Sequence, residues 1–77
     1  MVIAFVLIDI APSKERYVAK ELSEVKDIVE LHPLVGDYDF IAKVQADNLD
    51  SLARIVIDKI RTIQGVIDTK TLTEIKF

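Results

Sequence analysis

Val2-Ile3-Ala4-Phe5-Val6-Leu7-Ile8 is an unbroken apolar run, rich in β-branched residues and closed by Asp9 to Pro12. Such a run reads as a β-strand. Successive side chains on a strand point to opposite faces, so Ile3, Phe5 and Leu7 lie on one side and Val2, Ala4, Val6 and Ile8 on the other. Both sets are apolar. A strand of this kind needs cover on two faces, and that requirement governs the reading of the segments around it.

The chain has 77 residues, which predicts a single domain over 1–77. At that size folding buries only about 60% of the unfolded chain's surface, so a lone core is marginally stable. Disulfides cannot help, because there is no cysteine, and the same absence excludes thiolate zinc sites and cysteine nucleophiles. Self-association is the remaining inexpensive route. With 51% hydrophobic and 30% charged residues the chain is a folded domain and not a disordered one. The ten Lys and Arg are scattered and the net charge is −3, which leaves no basic stripe for direct nucleic-acid binding. The first apolar run has no basic region before it, no cleavage site after it, and is too short to span a bilayer. No membrane association is expected, and the location expected is cytoplasmic. Richness in Ile, Val, Lys and Glu with few Asn, Gln and Met hints at a thermophile.

A helix is predicted next, capped by Ser13, with Val18, Leu22 and Val25 on one face. Ile28 to Leu31 reads as a second strand, ended by Pro33. The third is Phe40 to Ala46, with Phe40, Ala42, Val44 and Ala46 on one face and Ile41, Lys43 and Gln45 on the other. Asp47 or Asn48 caps a second helix carrying Leu49, Leu52, Ala53, Val56, Ile60 and Ile63, which stops at Gly65. Val66 to Phe77 supplies the last strand.

That order is βαββαβ, an α+β arrangement of the ferredoxin-like kind: a four-stranded antiparallel sheet with both helices on one face. The other face is bare. Leaving one apolar set of the first strand in water would forfeit about 1.5–3 kcal/mol per large side chain. A two-fold, sheet-to-sheet dimer is therefore expected. The plainer alternative is a central strand whose open face tolerates exposure.

The hairpin between strands two and three carries Leu34-Val35-Gly36-Asp37-Tyr38-Asp39-Phe40. Gly36 supplies a positive φ or a close backbone approach, and Asp37 can fold back onto nearby amides. Tyr38 and Asp39 exceed what a turn requires, although Asp-rich turns are common. Carboxylates, backbone amides and hydroxyls together match a free amino acid, whose ammonium needs an acceptor and whose carboxylate needs donors. Thr69, Thr71 and Thr73 alternate onto one face of the last strand and offer hydroxyls; β-propensity on a half-exposed surface is the alternative account of them, and the better one for Thr73.

Val35-Gly36-Asp37-Tyr38-Asp39-Phe40-Ile41, followed by Gly65-Val66 and Thr69-Lys70-Thr71, resembles the effector-binding RAM domain of the leucine- and asparagine-responsive (Lrp/AsnC) transcription regulators of bacteria and archaea. The resemblance covers essentially the whole chain. It implies a βαββαβ dimer that assembles into rings of four or more dimers, an octamer or a decamer, with an amino acid bound between dimers. By that match Gly36, Asp37, Tyr38 and Asp39 line the site and Thr69 and Thr71 join from the last strand. Full-length members carry an N-terminal helix-turn-helix, and nothing precedes the first strand here. The resemblance thus implies a stand-alone RAM domain with a full-length regulator of the family as its candidate partner, and DNA binding is not carried over.

Enzymatic readings have less to stand on. His32, the single histidine, has no nucleophile-elbow sequence to partner it, and Asp37 and Asp39 have no metal-ligand cluster or phosphate loop beside them. No cofactor is implied. The alternatives to an amino-acid sensor are an oligomerisation scaffold without ligand and a small dimeric oxygenase or isomerase, the latter resting on fold alone.

Overall fold

The two apolar sets of the first strand part as alternation requires. In a computed structural model that describes residues 1–77, the strand β1 (Val2–Ile10) buries Ala4, Val6, Ile8 and Ile10, while Ile3, Phe5, Leu7 and Asp9 remain partly exposed. It runs two residues further than the sequence suggested, because Asp9 continues the alternation instead of ending it. After it come α1 (Glu15–Ser23), β2 (Ile28–Pro33), β3 (Phe40–Ala46), α2 (Leu49–Arg54), a π-helical segment over Ile55–Ile60, and β4 (Val66–Thr73). The order is βαββαβ, and the antiparallel sheet runs β2-β3-β1-β4. This is the ferredoxin-like fold. β1 is central, hydrogen-bonded to β3 on one side and β4 on the other.

The core lies between the sheet and the helices. Ala4, Val6, Ile8 and Ile10 of β1 and Phe40, Ala42, Val44 and Ala46 of β3 meet Val18 and Leu22 of α1 and Leu52, Ile55, Val56 and Ile60 of the second helix. All buried side chains are apolar, and no buried side-chain polar atom lacks a partner. The core therefore holds no unpaired side-chain polar atom.

The helices depart from the sequence reading at two points, the cap of the first and the buried stripe of the second. Ser13 does not cap α1: its backbone is left-handed at φ 70°, Lys14 occupies the cap position, and no side chain caps the helix. Lys14 N–H donates instead to the Ala11 carbonyl at 3.1 Å, closing a tight turn through Pro12 and Ser13. In α2 Asn48 is the cap, its side-chain oxygen accepting from Ser51 N–H at 2.8 Å. The buried stripe of the second helix is Leu52, Ile55, Val56 and Ile60, whereas Leu49 and Ala53 face outward. The π-helical stretch explains the shift. With Arg61 N–H bonded to the Val56 carbonyl, five residues back, the turn widens and brings Ile55 and Ile60 onto the core side together. β4 ends at Thr73, short of the expected Phe77.

Gly65 joins the second helix to β4, and its carbonyl accepts from Ala11 N–H at 2.8 Å. Its φ is 105°, and a Cβ there would stand 2.9 Å from Lys14 Cβ and 3.0 Å from Val18 Cγ2. Gly65→Ala is accordingly expected to destabilise the domain by about 1–3 kcal/mol, from backbone strain and overpacking against α1. Urea denaturation measures it, and an unchanged midpoint would contradict this packing.

Candidate functional site

The hairpin loop between β2 and β3 is anchored by Asp39. Leu34 N–H donates to the Asp39 carbonyl at 2.8 Å and closes the loop. Asp39 N–H donates to the Ile8 carbonyl at 2.9 Å, and Asp39 Oδ2 accepts from Ile10 N–H at 2.7 Å. Backbone and side chain of one residue thus fasten the loop to the end of β1. The rest of the loop is free of such ties: Gly36 and Asp37 are exposed and Tyr38 is partly buried. Gly36 has a φ of 147°, and a Cβ there would meet nothing within 4 Å. Of its two expected roles it fulfils the conformational one and not the close approach.

The registers place the other candidates. Ile8 pairs with Phe40 on one side and with Thr69 on the other, so the hairpin and Thr69 share one end of the sheet. With β1 between them they lie roughly 10 Å apart at strand spacing. Thr71 is opposite Val6, two residues further along. Thr69 and Thr71 pair with residues that face the helices, so their side chains project to the helix side of β4. Asp39 precedes the core residue Phe40 and is opposite in direction, on the open face. Within one chain, then, the structure brings Gly36, Asp37, Tyr38, Asp39 and Thr69 to a common edge but does not converge the Asp39 carboxylate with the threonine hydroxyls. None of the surface clefts of the chain is lined by these residues.

Asp39 has neighbours that sequence reasoning missed. Asp9 of β1 and Asp68 of β4 are register partners on the open face, next to it. Asp9 was read as the end of a strand. Its parity with Ile3, Phe5 and Leu7 is the signal that places it on the open face. The Asp9 carboxyl is held above its usual range, first by partial burial, then by a hydrogen bond with Asp39 and the Asp39 charge, with Asp68 adding and the Ile10 amide opposing. Asp68 Oδ1 accepts from Thr69 N–H at 2.9 Å.

His32 is exposed on the open side of β2, with Nε2 3.1 Å from Glu30 Oε1, and Lys43 Nζ lies 3.5 Å from Glu30 Oε2. These partners hold the Glu30 carboxyl below its usual range, the His32 hydrogen bond contributing most and Lys43 next. No group of three or more His, Cys, Asp or Glu side chains is arranged to hold a metal ion. No helix is long and apolar enough to cross a membrane.

The acidic contacts give opposite expectations for two substitutions. Asp39→Ala removes the acceptor of Ile10 N–H and should destabilise by about 1–3 kcal/mol, whereas Asp39→Asn keeps an acceptor and should cost far less. Because the folded state raises the Asp9 carboxyl, the protonated form is favoured: that contribution is complete below its ordinary value of 3.8 and is lost as pH rises through the raised value. Asp9→Asn should therefore stabilise the fold relative to the parent chain at neutral pH and lose its advantage in acid. Urea midpoints across pH check both, and an advantage that grows in acid would refute the repulsion.

The comparisons with known proteins agree with this architecture. The family model of the Lrp/AsnC ligand-binding domain matches residues 3–76. A helix-turn-helix-type transcriptional regulator of Pyrococcus abyssi is 39% identical over 72 residues, spanning 90% of this chain and 48% of that protein. The chain thus spans about half the length of the curated relatives it matches. Among solved structures, FFRP-DM1 superposes with a TM-score of 0.92 at 36% identity, covering 97% of this chain and 100% of that one. Escherichia coli AsnC superposes at 0.93 with 25% identity, over 99% of this chain and 52% of that one. These relatives are regulators and not enzymes, and the chain belongs to the Lrp/AsnC ligand-binding (RAM) domain family.

Proposed function

We propose that the chain is an amino-acid-sensing, self-associating module: it pairs through its open sheet face, assembles further, and holds a free amino acid between subunits at the hairpin edge. The observation that carries this is the division of labour in Leu34–Asp39. Asp39 spends its polar atoms on β1, which leaves Gly36, Asp37 and Tyr38 presented at a fixed position with no partner in their own chain. Thr69 and Thr71 lie at or near the same edge but on the other side of the sheet, so a second chain is needed to complete a site with both acceptors and hydroxyls. Family membership supports an effector-binding role, and the amino acid follows from the matching of ammonium to carboxylate and carboxylate to amide and hydroxyl. In this reading the module acts in the cytoplasm and modulates a full-length regulator of its own family, and its dimers build an octamer or a decamer.

The pairing rests on the open face. Ile3, Phe5 and Leu7 of β1, Ile41 of β3 and Leu72 of β4 form a continuous apolar patch, since Leu7 pairs with Ile41 and Phe5 with Leu72. Leu72 is 49% exposed. A patch of this kind flanked by charges is characteristic of an interface, and a second copy offers the complementary patch by symmetry.

Two experiments test the reading. In a thermal-shift screen of the common amino acids, a true effector at about 100 times its dissociation constant adds about 2.7 kcal/mol and moves the midpoint by several degrees. Asp37→Ala, at the exposed tip, should lose the shift while the unliganded midpoint holds. No response to any amino acid would leave the oligomerisation scaffold as the better reading. Separately, Phe5→Lys should yield a folded monomer by light scattering coupled to size exclusion, because Phe5 points away from the core. A parent chain that is itself monomeric would refute the pairing.

A further inference from the structure

β4 is an edge strand, with β1 on one side of it and no strand of the chain on the other. Glu74 N–H donates to the Ile3 carbonyl at 2.8 Å, and the pairing with β1 is antiparallel. In such a ladder the backbone groups of alternate residues point to opposite sides. Asp68, Lys70, Leu72 and Glu74 therefore turn theirs to β1, while Thr69, Thr71 and Thr73 turn theirs to the free edge. Thr69 N–H fits that assignment, since its acceptor is the side chain of its neighbour Asp68, at 2.9 Å, and not a strand. The opposite edge of the sheet is protected: β2 has six residues, its register slips between Ile28 and Glu30, and it ends at Pro33. β4 has eight residues and no proline, and its one irregularity lies before Asp68.

The side chains of β4 single out one register for pairing with a copy of itself. Two edge strands related by a two-fold axis run antiparallel, and outward-bonding residues must oppose outward-bonding residues. Along the open face the strand and its continuation read Asp68, Lys70, Leu72, Glu74 and Lys76, all exposed. Centred on Leu72, the pairing sets Leu72 against its copy, Lys70 against Glu74 and Asp68 against Lys76, so every charge meets its opposite. These are the non-hydrogen-bonded pairs, in which side chains lie closest. The hydrogen-bonded pairs are Thr71 with Thr73 and Thr69 with Ile75, which gives Ile75, 68% exposed in the single chain, a neighbour. Centring on Lys70, Thr71, Thr73 or Glu74 instead opposes like charges. Centring on Thr69 runs the ladder through the irregular stretch at Ile67, and centring on Ile75 leaves most of β4 unpaired.

We propose that β4 pairs with β4 of a second copy, antiparallel about Leu72, joining two sheets edge to edge. The inference rests on the self-association proposed above and names the contact by which face-paired chains assemble further. The strip is narrow, below the size of an interface that is stable by itself, so the edge adds to the face pairing and does not replace it. It is made by the strand that carries Thr69 and Thr71, which places their hydroxyls at the joint between copies.

The test is a charge swap in the whole chain, followed by light scattering over a range of concentrations. Lys70 and Glu74 stand about 13 Å apart along one strand and do not touch within a chain. Lys70→Glu and Glu74→Lys should each weaken the larger assembly about tenfold, and the double variant, which restores both opposed pairs, should recover it. A second measurement captures the pair covalently. The chain has no cysteine, and at the centre of the ladder the Leu72 Cα stands about 4.5 Å from its copy, within disulfide reach. In the Phe5→Lys chain, whose open faces repel, Leu72→Cys should oxidise to a linked dimer, whereas Lys70→Cys, about 13 Å from its copy, should not. Charge variants that assemble like the parent, a double variant no better than the singles, or equal oxidation at both cysteine positions overturns the edge pairing and leaves the face pairing standing. Selective linkage at position 72 with a parent chain that shows no face pairing overturns the face and leaves the edge. A chain that neither assembles nor links overturns both.

Discussion

β1 is the constraint on which the rest depends. It is apolar on both faces and hydrogen-bonded on both edges, which places it at the centre of the sheet. The helices supply one cover through Val18, Leu22, Leu52, Ile55, Val56 and Ile60. Pairing β1 with β3 and β4 then fixes where the two crossover helices run and which ends of the strands come together. The hairpin and the start of β4 meet at one end of the sheet because both are register partners of the same few residues of β1.

That placement also separates structural from presented groups at the candidate site. Tyr38 and Asp39 exceed what a turn requires, and the fold gives Asp39 a structural task. In the fold its Oδ2 completes the backbone hydrogen bonding of Ile10 and its own amide does the same for Ile8. A strand at the centre of a sheet ends where its neighbour ends, and its last polar groups must still find partners. Asp39 supplies them. Gly36 and Asp37, next to that anchor, are the exposed positions of the loop.

Much of this was legible in the residues, and the failures share a cause. The strand parities of β1 and β3 were correct because a period of two follows from backbone geometry alone. The Asn48 cap was one of two neighbours named, and the side chain that reaches Ser51 N–H settles it. Ser13 failed as a cap because the turn after β1 takes it left-handed, a choice set by where α1 must land on Gly65 and not by its own preference. Leu49 and Ala53 were counted into the buried stripe on a 3.6-residue period. The π-helical widening at Ile55–Ile60 changed the period, and Ile55 took their place.

By itself the sequence determined the element order, the two faces of each central strand, the absence of thiol chemistry and the family resemblance carried by Gly36 to Asp39, Gly65 and the spaced threonines. Each of these depends on neighbours within a few residues or on composition. Only the tertiary structure decided that Asp9, Asp39 and Asp68 form one row, that Asp39 is an anchor, and that Thr69 and Thr71 project to the opposite side of the sheet from it. Those relations join residues up to 29 positions apart between Ile10 and Asp39 and further still between β1 and β4. They are fixed by strand register, which is a property of paired strands and is written in no single one of them.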